Sequence, residues 1–360
     1  MLLVDKHRPR KLEALHDSPL GSRLWYAPQI MPDRSDVANS GDFPHLLVYG
    51  PSGAGKKTRI VATLRELYGP GVEKIKIDSR VFMTTTNRKI EFNIVASVYH
   101  IEITPSDVGN SDRVIIQSLL KEIGQTQQVD IAAKQKFKVV VINEADHLTR
   151  DAQAALRRTM EKYSPNLRLI LIANSTANII APIKSRTLLI RVAAPTIGEM
   201  VGVLRHVAEL ERFEFSNKLA GRVAEESGRN LRRALLMFEA LYAQNEVVKD
   251  NTPIPPPDYE TLVGQIADEL LADHSPARIL LVRAKFYDLL THCIPATVIL
   301  KLLTFRLVVK IDDVLKADVI KWAAFYEHRI HLGSKVIFHL EAFVAKFLRI
   351  LEGYLMGMEF

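Results

Sequence analysis

The chain has 360 residues, 48% hydrophobic and 25% charged, which is enough apolar material for more than one core and for two or three domains. Its one cysteine, Cys293, rules out a disulfide framework or a cysteine-ligated zinc module within the chain, and no apolar run approaches the roughly 18 residues a membrane span needs. The start, Met1 to Arg10, is charged where a secretory leader is apolar, so a reducing compartment and no membrane partner are expected. The formal charge of +7 suits a polyanionic partner and equally a solvated basic surface.

In the first half, short apolar runs alternate with helical patterns, which predicts an α/β arrangement around a mostly parallel sheet. His45 to Tyr49, Phe137 to Ile142, Leu169 to Ala173 and Leu188 to Val192 read as buried strands. Between Ile75 and Ile103 the pieces Lys74 to Asp78, Arg88 to Phe92 and Tyr99 to Ile103 read as extended, with polar Thr84 to Asn87 between the first two, and predict a hairpin-like insertion. After Pro195 the strand signals stop. Thr196 to Asn245 predicts three short helices, with Ser216 and Asn217 as caps. Four prolines within Asp250 to Asp258 remove backbone donors and predict a linker. Beyond it the pattern is helical, and Val336, Leu340, Phe343, Val344, Phe347 and Leu351 make a packing stripe.

Directly after the first strand comes Gly50-Pro51-Ser52-Gly53-Ala54-Gly55-Lys56-Lys57-Thr58, which matches the phosphate-loop pattern at Gly50, Gly55 and Lys56 in the required strand-loop-helix context. The glycines let backbone N–H groups turn toward phosphate, the next helix presents its N-terminus, and Lys56 is the phosphate-reaching cation. The position after Lys56 ordinarily carries a hydroxyl that ligates magnesium. Here it is Lys57, with Thr58 one residue later as the possible replacement. The acidic strand end expected of such a site reads Asn143-Glu144, so a carboxylate is lost as well and Glu144 is left as a vestigial base. Both departures fall on one metal, which predicts binding of ATP or ADP without efficient turnover and with magnesium in doubt.

With these motifs in place, the chain resembles the small subunits of the replication factor C clamp loader, within the AAA+ ATPases, over nearly its whole length. Val4-Asp-Lys-His-Arg-Pro9 is similar to that family's N-terminal signature, which implies that Val4, Arg8 and His16 lie near the adenine ring. Asn174, ending its strand, resembles the first sensor. Ile183-Lys-Ser-Arg-Thr187 resembles the Ser-Arg-Cys box with Thr187 for the cysteine, which implies that Arg186 is an arginine finger entering a neighbouring subunit's ATP site. Asn230-Leu-Arg-Arg-Ala234 resembles the second sensor, with Arg229-Asn230 standing for Gly-Asp and Arg232 keeping the cationic position. Arg157 and Arg158, on a family-like helix close to the motor core, are implied to couple DNA to the site, and Arg113, at a helix start, is implied to contact a DNA phosphate.

The resemblance implies an AAA+ core over 1–195, a helical lid over 196–250, the proline-rich linker 251–258 and a helical collar over 259–360 that mediates oligomerisation. The substitutions at Lys57 and Asn143, the insertion and the intact Ser-Arg pair most resemble the family branch called subunit 3 in animals and subunit 5 in budding yeast. That likeness implies a nuclear heteropentamer that uses ATP to open the sliding clamp, PCNA, and load it on primer-template DNA in replication and repair. In that assembly this chain would hold nucleotide, hydrolyse it poorly and lend Arg186. Two alternatives stand beside this reading: an active motor ATPase using Lys56 and Glu144, and a shared scaffold of checkpoint or cohesion clamp loaders.

Overall fold

A computed structural model describes residues 1–10, 43–83, 89–125, 137–164, 166–245, 248–333 and 335–357. The chain divides into two compact units, Met1–Ile254 and Pro255–Phe360.

The first unit is built on a seven-stranded sheet: β1 (Leu46–Tyr49), β2 (Lys76–Met83), β3 (Lys89–Ala96), β4 (His100–Ile103), β5 (Lys138–Ile142), β6 (Leu167–Ala173) and β7 (Leu188–Arg191), in the order β2-β3-β4-β5-β6-β1-β7. The four predicted strands are present, and β1 pairs parallel with both β6 and β7; β1, β5 and β6 are buried as expected, whereas β7 lies at the edge of the sheet with Leu189 and Arg191 exposed. Side chains on a strand alternate between faces. Accordingly Leu47, Val140, Ile142, Leu169 and Leu171 join one apolar cluster, while Leu46, Val48, Val139, Val141 and Ile170 join the other. The first cluster includes Ile115 and Leu119 of the helix Asp112–Gln125 and Leu156 and Met160 of the helix Arg150–Lys162; the second includes Ile60 and Leu64 of the helix Lys56–Tyr68. Such a doubly covered parallel sheet explains why these strands are apolar on both faces.

One expectation is corrected. β2 and β3 form an antiparallel hairpin, from Lys76↔Ala96 to Met83↔Lys89, and β4 follows antiparallel to β3 through Val95↔Glu102 and Ala96↔Ile101. On its other side β4 pairs parallel with β5, so it joins the hairpin to the parallel strands instead of standing apart as an insertion. The polar residues His100 and Glu102 disguise β4 as a surface piece, yet both are buried. The Thr84 to Asn87 segment lies outside the described residues.

We number the helices in chain order: α1 (Leu3–Lys6), α2 (Lys56–Tyr68), α3 (Asp112–Gln125), α4 (Arg150–Lys162), α5 (Ala181–Lys184), α6 (Ile197–Glu211), α7 (Asn217–Glu226), α8 (Leu231–Gln244), α9 (Asp258–Ala272), α10 (Pro276–Thr291), α11 (Ala296–Lys310), α12 (Asp313–Leu332) and α13 (Val336–Leu355). Helices α6 to α8 pack Met200, Leu204, Val223 and Phe238 into one core, and Leu3 of α1 joins it. Thr196 opens α6 with a reciprocal capping box to Glu199. Ser216 caps α7 by accepting from the Lys218 N–H, so the expected second cap, Asn217, is instead the first helical residue. Phe238 also contacts the rings of Phe213, Phe215 and Tyr242, and its truncation to alanine would cost about 3–5 kcal/mol.

The second unit is all helical, α9 to α13, around Phe286, Leu303, Leu340, Phe343 and Phe347. The predicted stripe lies on α13: Leu340, Phe343, Val344 and Phe347 are buried, with Val336 and Leu351 packed at the margin. Among the described residues no helix is long and apolar enough to cross a membrane.

Candidate nucleotide site

In a parallel sheet the carboxyl ends of the strands share one edge, and ligands bind there. Here β1 leads to Gly50, β4 to Thr104, β5 to Asn143 and β6 to Asn174. Gly50 N–H donates to Ala173 and Asn143 N–H to Ile103, so the backbone itself fixes the spacing of these ends.

The loop from Gly50 to Gly55 has positive φ at Gly50, Gly53 and Gly55. At Gly50 an added Cβ would lie 2.0 Å from the Val192 carbonyl oxygen, so the loop's departure from β1 requires glycine. Pro51 and Ser52 are exposed at the tip, and Ala54 is buried beneath it. Gly55 precedes α2 with no side-chain cap, which leaves the first N–H groups of α2 for an anion. Lys56, buried, donates from Nζ to the Gly50 oxygen at 2.6 Å, the Pro51 oxygen at 2.9 Å and Asn174 Oδ1 at 2.9 Å. Burial lowers its pKa from the ordinary lysine value, Asp146 opposes that shift, and Arg232 adds to it. A depressed ammonium among N–H donors is suited to a phosphate countercharge, and these residues fit a nucleotide's phosphates.

They do not fit its magnesium ion. Lys57 Nζ forms an ion pair with Glu102 of β4, and Asn143 Nδ2 donates to the same Glu102 Oε1 at 2.7 Å and to Thr104 Oγ1 at 3.3 Å. The two positions that would supply a hydroxyl and a carboxylate to the metal thus present an ammonium, with no lone pair, and an amide turned to a buried carboxylate. Thr58 is half-buried one residue on, and a single helical step turns a side chain by about 100° from the position it would have to replace.

Asn174 and Ser175 donate their backbone N–H groups to Asp146 Oδ2 at 3.0 and 3.3 Å, so Asp146 sets the β6 end beside Lys56. Glu144 is exposed at φ 51°, and its Oε2 accepts from Ser106 Oγ at 2.9 Å.

From the other side the lid approaches the loop. A Cβ on Gly53 would meet Asn230 Oδ1 at 1.7 Å, and that oxygen also caps α8 by accepting from the Arg233 N–H. Arg229, at φ 62°, donates to the carbonyls of Ala194 and Pro195 at 3.0 Å each, anchoring the turn before α8 to the end of the sheet layer. Arg232 is exposed and near enough to depress Lys56 electrostatically. Val4 packs against the lid core, and Arg8 pairs with Asp5 at 2.9 Å. The same N-terminal segment ties the lid, through Lys6 and His7 to Glu211, to the turn after α2, through Arg10 to Glu73. His16 lies outside the described residues.

Arg186 belongs to another part of the surface. Its guanidinium contacts Glu161 of α4 at 2.6 Å and the Pro182 oxygen at 2.8 Å, while Thr187 Oγ1 donates to Ile183. None of these partners is in the phosphate cradle. Arg157 and Arg158 are exposed on α4, and Arg157 pairs with Glu161 at 3.6 Å. Arg113 lies at the start of α3, half-exposed, 3.8 Å from Asp151. Sequence reasoning missed Glu102 and Asp146 as site residues. Asp146 stands two residues beyond the Asn143-Glu144 strand end, while nothing local marked Glu102.

A phosphate loop at the strand ends, a three-helix lid seated on that loop and a separate helical unit make this a P-loop nucleotide-binding protein of the AAA+ class. Family models match in the same order: DNA polymerase III delta subunit over residues 35–196, the lid of RCF1/5-like AAA+ ATPases over 202–243, and the C-terminal domain of replication factor C subunit 3 over 259–355. The chain is 73% identical to replication factor C subunit 5 of Neurospora crassa, covering 99% of each chain. It is 48% identical to human replication factor C subunit 3 over 100% of this chain and 99% of that one, and 46% identical to subunit 5 of Saccharomyces cerevisiae over 98% and 99%. A RuvB variant of Thermotoga maritima, 14% identical, superposes with a TM-score of 0.50 over 72% of this chain and 79% of that one, a likeness of fold alone. The chain belongs to the replication factor C family of clamp-loader small subunits.

Proposed function

We propose that this chain is a nucleotide-holding, poorly hydrolysing member of a replication factor C heteropentamer, and that it lends Arg186 to the ATP site of a neighbouring subunit. In this reading the assembly works in the nucleus, opening the PCNA clamp and placing it on primer-template DNA.

The observation that carries the proposal is the convergence of Lys57 and Asn143 on Glu102, which engages both side chains that would have built a magnesium shell. Phosphoryl transfer from a P-loop relies on the metal to bridge and neutralise the phosphates, so this chain's own residues serve binding rather than turnover. Lys56 and the N-terminus of α2 hold the phosphates, Asn174 and Arg232 contact or sense them, and Glu144 is left without a metal-activated reaction to assist. Arg186 retains the chemistry for action in trans. Its ion pair to Glu161 is half-exposed and worth about 0–1 kcal/mol, so exchange of that carboxylate for a neighbour's γ-phosphate costs little. Arg113, half-exposed at a helix start, is suited to a DNA phosphate contact of the kind that fixes register without reading sequence.

The test is DNA- and clamp-stimulated ATP turnover by the assembled ring carrying Arg186→Ala or Lys56→Ala in this chain. A large loss for Arg186→Ala with little loss for Lys56→Ala supports the proposal. The reverse pattern would mean that this chain's own site is a motor.

A further inference from the structure

The two departures from a metal-binding phosphate loop are joined by one buried carboxylate. Glu102 sits on β4 opposite Val141 of β5, so its side chain comes up two residues short of Asn143 at the same sheet edge. Its side chain is 8% exposed, and one oxygen, Oε1, accepts from both Lys57 Nζ and Asn143 Nδ2. The Lys57 ammonium, with 45% of its side chain still exposed, is therefore held at the start of α2 with its outer protons available. Asn143 has a second acceptor in Thr104 Oγ1, which fixes the amide with one Nδ2 proton on the carboxylate and the other on the hydroxyl.

We propose that Lys57, held in place by Glu102 and Asn143, substitutes for the divalent cation, so that this site binds nucleoside triphosphate without requiring magnesium. This rests on the nucleotide-binding reading above and deepens it. A lysine in open solvent would sample many rotamers, and fixing it on a buried carboxylate removes that freedom before the nucleotide arrives. Glu102 also balances the charge when no nucleotide is present, so that Lys56, Lys57 and Arg232 do not face one another uncompensated. A magnesium ion at the same place would sit beside an ammonium and compete with two protein donors for the one carboxylate, while finding neither of its usual ligands. Glu102 is thus a positioning residue acting through Lys57.

The experiment is calorimetric titration of the full chain with the non-hydrolysable triphosphate AMP-PNP, once with excess magnesium and once with EDTA. The expected result is a Kd that changes by less than about threefold between the two conditions for the unaltered protein. For the double variant Lys57→Thr with Asn143→Asp, which restores a hydroxyl and a carboxylate, EDTA is expected to weaken binding by tenfold or more. A tenfold weakening of the unaltered protein in EDTA would overturn the inference while leaving nucleotide binding intact. If Glu102→Gln then abolished that dependence, Glu102 would be a metal ligand instead. Absence of binding under both conditions would sink the nucleotide-holding reading itself, and this inference with it. Because the decisive comparison uses the unaltered chain, misfolding of a variant does not rescue the idea.

Discussion

Asn174 Oδ1 accepts a hydrogen bond from Lys56 Nζ at 2.9 Å, tying the end of β6 to the phosphate loop. The carbonyls of Gly50 and Pro51 take the other two bonds, so three ammonium protons meet three acceptors. An incoming phosphate must replace one of them, and Asn174 is the one on a side chain that can turn away. Asn174→Asp converts this exchangeable amide into a competing carboxylate. Nucleotide affinity is expected to fall about tenfold or more, roughly 1.4 kcal/mol, while the melting temperature of the nucleotide-free chain rises. Titration calorimetry and thermal melts check both; unchanged affinity would mean that Lys56 reaches phosphate without releasing Asn174.

Asn143→Asp alone is expected to destabilise the chain. The amide proton now shared with Glu102 at 2.7 Å would be gone, and two carboxylates at that separation cannot both remain ionised without cost. Lys57 offsets part of the repulsion, leaving a loss of about 1–3 kcal/mol by urea denaturation at pH 7.5. The pH dependence gives the sign of the cause. One carboxyl of the pair would have a folded pKa raised above its ordinary unfolded value near about 4, so the folded state binds a proton that the unfolded state does not. The deficit should therefore shrink as pH falls through the raised value. A deficit that is flat with pH would point to packing rather than charge.

Much of this site was legible because its signals are local. The glycines, Lys56, Lys57 and Asn143 stand in contiguous motifs, and β1, β5 and β6 are apolar on both faces because helices cover both sides of the sheet. Glu102 was not legible, since its meaning comes from the parallel register of β4 with β5, a pairing between segments nearly forty residues apart. The same polar residues that give β4 its function, His100 and Glu102, removed the apolar run by which a central strand is recognised. Asn230 could be read as a helix cap, but its approach to Gly53 is tertiary and leaves no trace in spacing.

His100 supplies an acid limb to stability. It is buried at the start of β4, with Nδ1 2.6 Å from Ser97 Oγ; burial lowers its pKa below the usual histidine value, Glu102 opposes the shift and Lys57 adds to it. Between the depressed folded value and the unfolded value of about 6.5, the unfolded chain binds a proton that the folded chain refuses, so stability rises with pH across that window. Denaturation midpoints are expected to fall as pH is lowered from 7.5 through about 6.5, and His100→Gln should flatten that decline. A decline of equal slope in the variant would assign the acid sensitivity to other groups.

The contact between Gly53 and Asn230 predicts that the phosphate loop and the lid are energetically coupled. Gly53 has φ 74°, and alanine in that left-handed conformation costs about 1–2 kcal/mol by itself. Its Cβ would also fall on Asn230 Oδ1 at 1.7 Å, driving the side chain from the Arg233 N–H that it caps and costing about 1 kcal/mol more. Gly53→Ala should thus destabilise the chain by about 2–3 kcal/mol. In an Asn230→Gly background, where no side chain stands in the way and glycine is itself a tolerable cap, the same change should cost only the backbone strain. The interaction term of that double-mutant cycle, measured by urea denaturation, is expected to be about 1 kcal/mol. Strict additivity would mean that Asn230 does not seat on the loop in solution, and that the placement of Arg232, two residues further along the same helix, is not governed by this contact.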